Sequence, residues 1–180
     1  HSVVYRGPAV VLAIDRRVNV SVEPRRDEQL FIDASNLGSS GFFEKERYTP
    51  VIGGVEGREQ LKPVWTAAEG VMMRLGRRRG INLTVNSEFP ISVGLGSSAA
   101  AAVATAAAVN ELLEGGLALD EISLIAFESE KVVHGTPSGI DNTIATYGGG
   151  LVYEKGRPVE QLRDLRDIPF VVGNTGKSRS

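Results

Sequence analysis

The chain has 180 residues, 42% of them hydrophobic and 23% charged, enough for one domain with a sizeable core. A net charge of −2 and an aromatic content of 6% are unlike a nucleic-acid footprint, so polyanionic partners are not expected. With no cysteine the chain has neither disulfides nor thiolate metal sites, which suits a reducing cytoplasm, and its longest weakly polar run, Ala99 to Val109, is too short to span a bilayer.

Apolar runs and alternation predict strands at 9–14, 17–23 and 29–34, with Arg16-Arg17 as a tight reversal between the first two. Residues 36–57, which hold Pro50, Gly53 and Gly54 and lack clean periodicity, read as irregular. Leu61, Trp65, Ala68, Met72 and Leu75 recur at spacings of four and three and predict a helix from Arg58 to Arg79, stopped by Gly80. Ile81, Leu83 and Val85 alternate in a further strand.

Next comes Pro90 to Ala104, a strand end, a glycine-rich turn and two hydroxyls opening an alanine-rich helix that should run from Ser97 to Leu113. Gly94 and Gly96 permit φ > 0 and close approach of the backbone to a ligand. The first-turn amides of a helix have no internal acceptors, and its dipole favours an anion there. The same residues also make an ordinary strand-to-helix turn capped by Ser97 or Ser98, and both readings stand on this motif alone.

Asp120 is the expected cap of a third helix with the stripe Ile122, Ile125, Ala126, Ser129 and Val133. That helix runs into His134-Gly135; Ser138-Gly-Ile-Asp141 has capping-box spacing before a short helix to about Tyr147, and Leu151 to Glu154 reads as a strand. Strands first and helices later predict an α+β fold, not a repeating βαβ one. The chain opens on His1 and closes just after a strand-like run, Pro169 to Gly173, so both ends read as cuts through a longer polypeptide.

Glu130 and His134 are four residues apart and share a helix face, and Asp141 opens the next helix. A helix N-terminus favours negative charge, and an ionised aspartate can accept a proton from a substrate hydroxyl. The bland alternative is a capping aspartate, a solvated Glu130 and a His134 bonded to backbone. Two histidines and no cysteine argue against zinc, whereas magnesium, which takes carboxylate, hydroxyl and phosphate oxygens, suits Glu130. A phosphate seat, a carboxylate for magnesium and a base together form a part list for phosphoryl transfer.

Three blocks resemble the N-terminal domain of the mevalonate kinase family, in the GHMP superfamily of small-metabolite kinases that also holds galactokinase and homoserine kinase. They are His1-Ser-Val-Val-Tyr5, the Gly94-Leu-Gly-Ser-Ser98 loop and His134-Gly-Thr-Pro-Ser-Gly-Ile-Asp-Asn142. The resemblance covers nearly the whole chain, with Gly173-Asn-Thr-Gly176 similar to the entry into the family's second domain. It implies a mixed, mainly antiparallel sheet with helices on one face.

It also implies that Ser92, Val93, Gly94, Leu95, Gly96, Ser97 and Ser98 wrap the ATP phosphates, with Asn36 and Ser87 as weaker nucleotide matches. Ser98 and Glu130 would hold Mg2+, Asp141 would be the base at the mevalonate hydroxyl, and His1 would lie at the substrate. The implied activity is ATP-dependent formation of 5-phosphomevalonate in the cytoplasm, with no nucleic-acid or membrane partner and with room for a homodimer. The loop is not of the Walker type, since the Gly-Lys-Ser/Thr signature is absent.

Ser92-Val93 departs from the family's usual Gly-Ala, and the family's lysine before the His1 position and its second glycine-rich domain lie outside these residues. The 180 residues alone are therefore expected to turn over little. Rival readings are a superfamily kinase for a sugar or homoserine and a silent sensor of nucleotide and metabolite; keeping Ser98, Glu130 and Asp141 together argues against the sensor.

Overall fold

The computed structural model describes residues 7–89, 94–166, 168, 169, 171 and 173. Its elements, in chain order, are β1 (Ala9–Leu12), β2 (Val18–Pro24), β3 (Leu30–Ala34), a 3-10 turn (Ser35–Leu37), β4 (Ser39–Glu44), β5 (Arg47–Ile52), α1 (Gly57–Leu75), β6 (Ile81–Ser87), α2 (Ser97–Leu112), α3 (Leu119–His134), α4 (Ile140–Tyr147), β7 (Gly150–Tyr153) and β8 (Glu160–Gln161). The architecture is the expected α+β one.

The main sheet has the order β2-β6-β3-β4-β5, and its pairs are antiparallel except β3 with β6. Alternation along β3 and β6 buries Leu30, Ile32, Ala34, Ile81, Leu83 and Val85 on one face, against the helices. Helix α2 lies in the middle of the helical layer, touching α1, α3, α4 and the sheet. Its alanines make this possible: Ala99, Ala102 and Ala106 are fully buried and let neighbouring backbones approach closely. No described helix is long and apolar enough to cross a membrane.

A second, three-stranded antiparallel sheet has the order β1-β7-β8. Strands β1 and β2 thus fall in different sheets, and Arg16-Arg17 does not close a hairpin between them. Local alternation marks a strand but not its partner, and β7, which pairs Leu12 with Gly150, lies far along the chain.

The stretch 36–57 is not irregular. It holds the 3-10 turn and the β4–β5 hairpin, whose turn uses Lys45 at φ 54° where a glycine would have announced it. Tertiary packing stabilises this hairpin: Phe43 is buried, stacks on Trp65 at 5.3 Å and meets Tyr48 at 4.8 Å. Helix α1 ends at Gly76, left-handed at φ 62°, and not at Gly80, because the earlier glycine already closes the last turn by donating to Met72 and Met73.

Helix α3 begins one residue before Asp120. Its cap is Ala118, whose N–H donates to Glu121 at 3.2 Å, so a carboxylate three residues on replaces the expected aspartate cap. Nor does Ser138 form a capping box with Asp141. Gly139, at φ 87°, is the cap of α4, and Ser138 Oγ accepts from the Ile140 N–H at 3.3 Å. The strand-like run 169–173 falls partly outside the described residues and no strand is assigned to its described part.

Candidate functional site

The only parallel pair described, β3 with β6, sets the place of the site. Parallel strands put their carboxyl ends side by side, so the turn after β3 and the loop after β6 leave the same end of the sheet. The loop then enters α2. Gly94 (φ 79°) and Gly96 (φ 72°) both adopt the left-handed conformation that their residue type permits. Gly96, which has no side chain to bond, is the cap of α2. The first helical bond runs from the Ala100 N–H to the Gly96 carbonyl at 2.9 Å, leaving the amide end of the helix dipole open towards an anion.

Two other elements close on this loop. Glu130 and His134 lie one turn apart at the end of α3, with His134 Nε2 3.9 Å from Glu130 Oε1. Asp141 stands in the first turn of α4, so close that a Cβ on Gly96 would sit 3.5 Å from the Asp141 Cβ and Cγ. Together Gly94, Gly96, Ser97, Ser98, Glu130, His134 and Asp141 line a cleft of about 460 Å³, with Pro137 and Ser138 at its wall.

The carboxylates differ in environment: Asp141 is exposed, whereas Glu130 is 6% exposed. Burial pushes the Glu130 carboxyl above its ordinary range; the Ser98 hydroxyl and His134 pull it back, and the Asp141 charge pushes it further up. Ser98 Oγ is buried beside this carboxyl, close enough to pull its pKa down. A buried carboxyl next to a buried hydroxyl offers two hard oxygens that a cation such as Mg2+ can take. Among the described residues no three or more His, Asp or Glu side chains converge to hold a metal by themselves. Ser98 and Glu130 therefore fit Mg2+ with its remaining ligands from water and a phosphorylated ligand.

A second cavity, of about 380 Å³, adjoins the first and shares Ser97, Ser98 and His134 with it. Its walls are largely apolar, among them Val18, Leu37, Val64, Val85 and Val133, and Ser87 also lines it. Asn36 Nδ2 donates to the Ser87 carbonyl at 3.4 Å, bridging the ends of the parallel strands, while Ser87 Oγ donates to the Phe89 carbonyl at 2.7 Å.

The structure thus brings together the predicted Gly94, Gly96, Ser97, Ser98, Glu130 and Asp141, with Leu95 half-buried within the same loop. Asn36 and Ser87 meet one another, at the neighbouring cavity. His1, Ser92 and Val93 lie outside the described residues. Sequence reasoning missed Gln60, whose Nε2 donates to the Leu37 carbonyl at 3.0 Å and whose Oε1 accepts from Ser39, tying α1 to the turn that carries Asn36. Gln60 lies off the predicted apolar stripe of Leu61, Trp65, Ala68, Met72 and Leu75, so the sequence carried no signal for it.

Residues 62–150 match the family described as GHMP kinases N terminal domain. Mevalonate kinase of Pyrococcus furiosus is 39% identical over 183 residues, covering 99% of this chain and 54% of its own length. That of Thermococcus onnurineus is 40% identical over 185 residues, covering 100% of this chain and 54% of its own. The crystal structure of Methanococcus jannaschii mevalonate kinase superposes with a TM-score of 0.72 at 22% identity, over 91% of this chain and 51% of that one, a likeness of fold. The chain spans about half the length of the curated relatives it matches.

Proposed function

We propose, on the match of residues 62–150 to the GHMP kinase N-terminal domain and the likeness to mevalonate kinases along the whole chain, that this chain belongs to that family and supplies the ATP- and substrate-binding part of a mevalonate kinase. The reaction is transfer of the γ-phosphoryl group of ATP to the primary hydroxyl of mevalonate. The observation that carries this reading is the meeting of the open amide end of α2 with Glu130, Ser98 and Asp141 around one cleft. The choice of mevalonate rests on the identities of 39–40% with mevalonate kinases. The 180 residues as a whole then form the family's N-terminal domain, since these relatives match from end to end of the chain.

Gly94 to Ser98 accept the phosphates on backbone amides, where glycines keep Cβ atoms out of the way. The apolar cavity beside Ser87 and Asn36 is the seat for the nucleoside. Ser98 and Glu130 would hold Mg2+, which neutralises phosphate charge when bound. Asp141 accepts the hydroxyl proton as the substrate oxygen forms its bond to the γ-phosphorus; the bond from that phosphorus to the bridging oxygen breaks, and ADP leaves. Most of the catalysis is positioning and charge neutralisation.

Asp141→Asn tests the base. Turnover, measured as mevalonate-dependent ADP release by the full-length protein that contains these residues, is expected to fall by roughly 10²–10⁴, with ATP binding by calorimetry little changed. Near wild-type turnover would remove Asp141 from its role. A substrate panel with galactose and homoserine separates the superfamily alternatives, and tight nucleotide binding with no transfer to any alcohol would favour the sensor.

A further inference from the structure

Asp141 stands on a helix of eight residues, α4, capped by a glycine that has no side chain to bond. So short a helix does not hold its own position in water. Its placement has to come from outside, and the structure shows from where. On the α3 side, Asn142 Nδ2 donates to the Ser123 carbonyl at 3.1 Å and to Ser123 Oγ at 3.0 Å. Within the helix, Thr143 Oγ1 donates to the Gly139 carbonyl at 2.5 Å. The turn leading into Asp141 is fixed from the second sheet: Tyr153 Oη, at the end of β7, donates to the Ser138 carbonyl at 2.7 Å.

The phenol does more than donate. A Cβ on Gly139 would fall 2.5 Å from Tyr153 Oη and 3.5 Å from the Phe127 ring, so the hydroxyl occupies the space that glycine leaves empty. Residue 139 has to be glycine on two counts, its φ of 87° and the tyrosine above it. Burial pushes the Tyr153 hydroxyl up from its ordinary pKa, which keeps the proton that makes this bond. Tyr153 does not line the cleft, yet it holds the backbone three residues before the exposed carboxylate that does.

We infer that Tyr153 is a positioning residue, whose phenol clamps the Ser138–Gly139 turn and so sets Asp141 against the Gly94–Ser98 loop. This rests on the kinase reading above and extends it to a residue in the other sheet. Tyr153→Phe keeps the ring and removes the bond. The loss of one hydrogen bond corresponds to about a fivefold fall in kcat, with KM for ATP and for the alcohol within about twofold of wild type. Hydrogen exchange at the amides of 140–144 should quicken by about the same factor, with 97–104 and 81–87 unchanged.

Turnover is measured with mevalonate, galactose and homoserine, using whichever the protein phosphorylates. Wild-type kcat in Tyr153→Phe overturns the assignment, as does unaltered exchange at 140–144. A fall in kcat matched by a rise in KM for ATP also overturns it, since that would mark a general loss of the fold. A full-length protein, carrying these residues together with the second domain, that is inert towards all three alcohols overturns the kinase reading itself, while the exchange rates still decide whether Tyr153 holds this turn.

Discussion

Glu130→Gln separates what the site needs from what the fold prefers. The carboxyl is 6% exposed and its pKa lies above the ordinary 4.5, chiefly because burial penalises the charge. In the folded protein without a cation, the ionised form at neutral pH is therefore a cost. Glutamine keeps the shape and removes that charge, so the variant is expected to be more stable than wild type at neutral pH and to melt at a higher Tm. The pH dependence has a definite sign. A carboxyl whose folded pKa is raised favours the fold below the unfolded value and loses that advantage as pH rises through the folded one. The stability gap between variant and wild type should be full at pH 7.5 and shrink as pH falls towards 4.5.

Function should move the other way. Removing a cation oxygen is expected to weaken apparent Mg2+ affinity, in the presence of ATP, by about tenfold or more. Thermal melts at several pH values without divalent cations, together with Mg2+ titrations of ATP binding, read both effects. A variant that melts below wild type at pH 7.5, or a gap that does not narrow on acidification, would refute the claim that burial dominates Glu130.

Gly96→Ala forces an L residue into a left-handed cap at φ 72° and puts a methyl 3.5 Å from Asp141. It should destabilise by about 1 kcal/mol and weaken ATP binding by calorimetry more than its lower Tm explains; unchanged ATP affinity would remove Gly96 from the phosphate seat. Phe43→Ala removes a ring that is 1% exposed and stacked on Trp65. Its urea midpoint should drop by the equivalent of about 3–5 kcal/mol, and a loss below about 1 kcal/mol would show that the β4–β5 hairpin is not anchored through the core.

How much of the site was legible depends on whether its signal is local. Gly94, Gly96 and the hydroxyls after them carry their conformation in their residue types, and the spacing of Glu130 and His134 forces them onto one helix face. The β4–β5 hairpin was illegible because its turn uses Lys45 instead of glycine and its stability comes from Phe43 packing on α1. The caps at Ala118 and Gly139 were misread for a related reason. Asp120 and Ser138 are good capping residue types, but Glu121 satisfies the Ala118 N–H and Gly139 adopts a left-handed conformation with Tyr153 packed over it.

By itself, then, the sequence determined the helices, the strands that alternate cleanly and the glycine loop, and it singled out Glu130 and Asp141 as candidates, since these follow from periodicity, backbone freedom and side-chain chemistry. Only the tertiary structure decided that β3 and β6 run parallel and so put Asn36, Ser87 and the loop at one end of the sheet. It alone buried Glu130 while leaving Asp141 exposed, and it alone brought Tyr153 from a second sheet to the turn before Asp141. Pairing, burial and long-range clamping depend on which distant segments share a volume, and local residue patterns do not encode that.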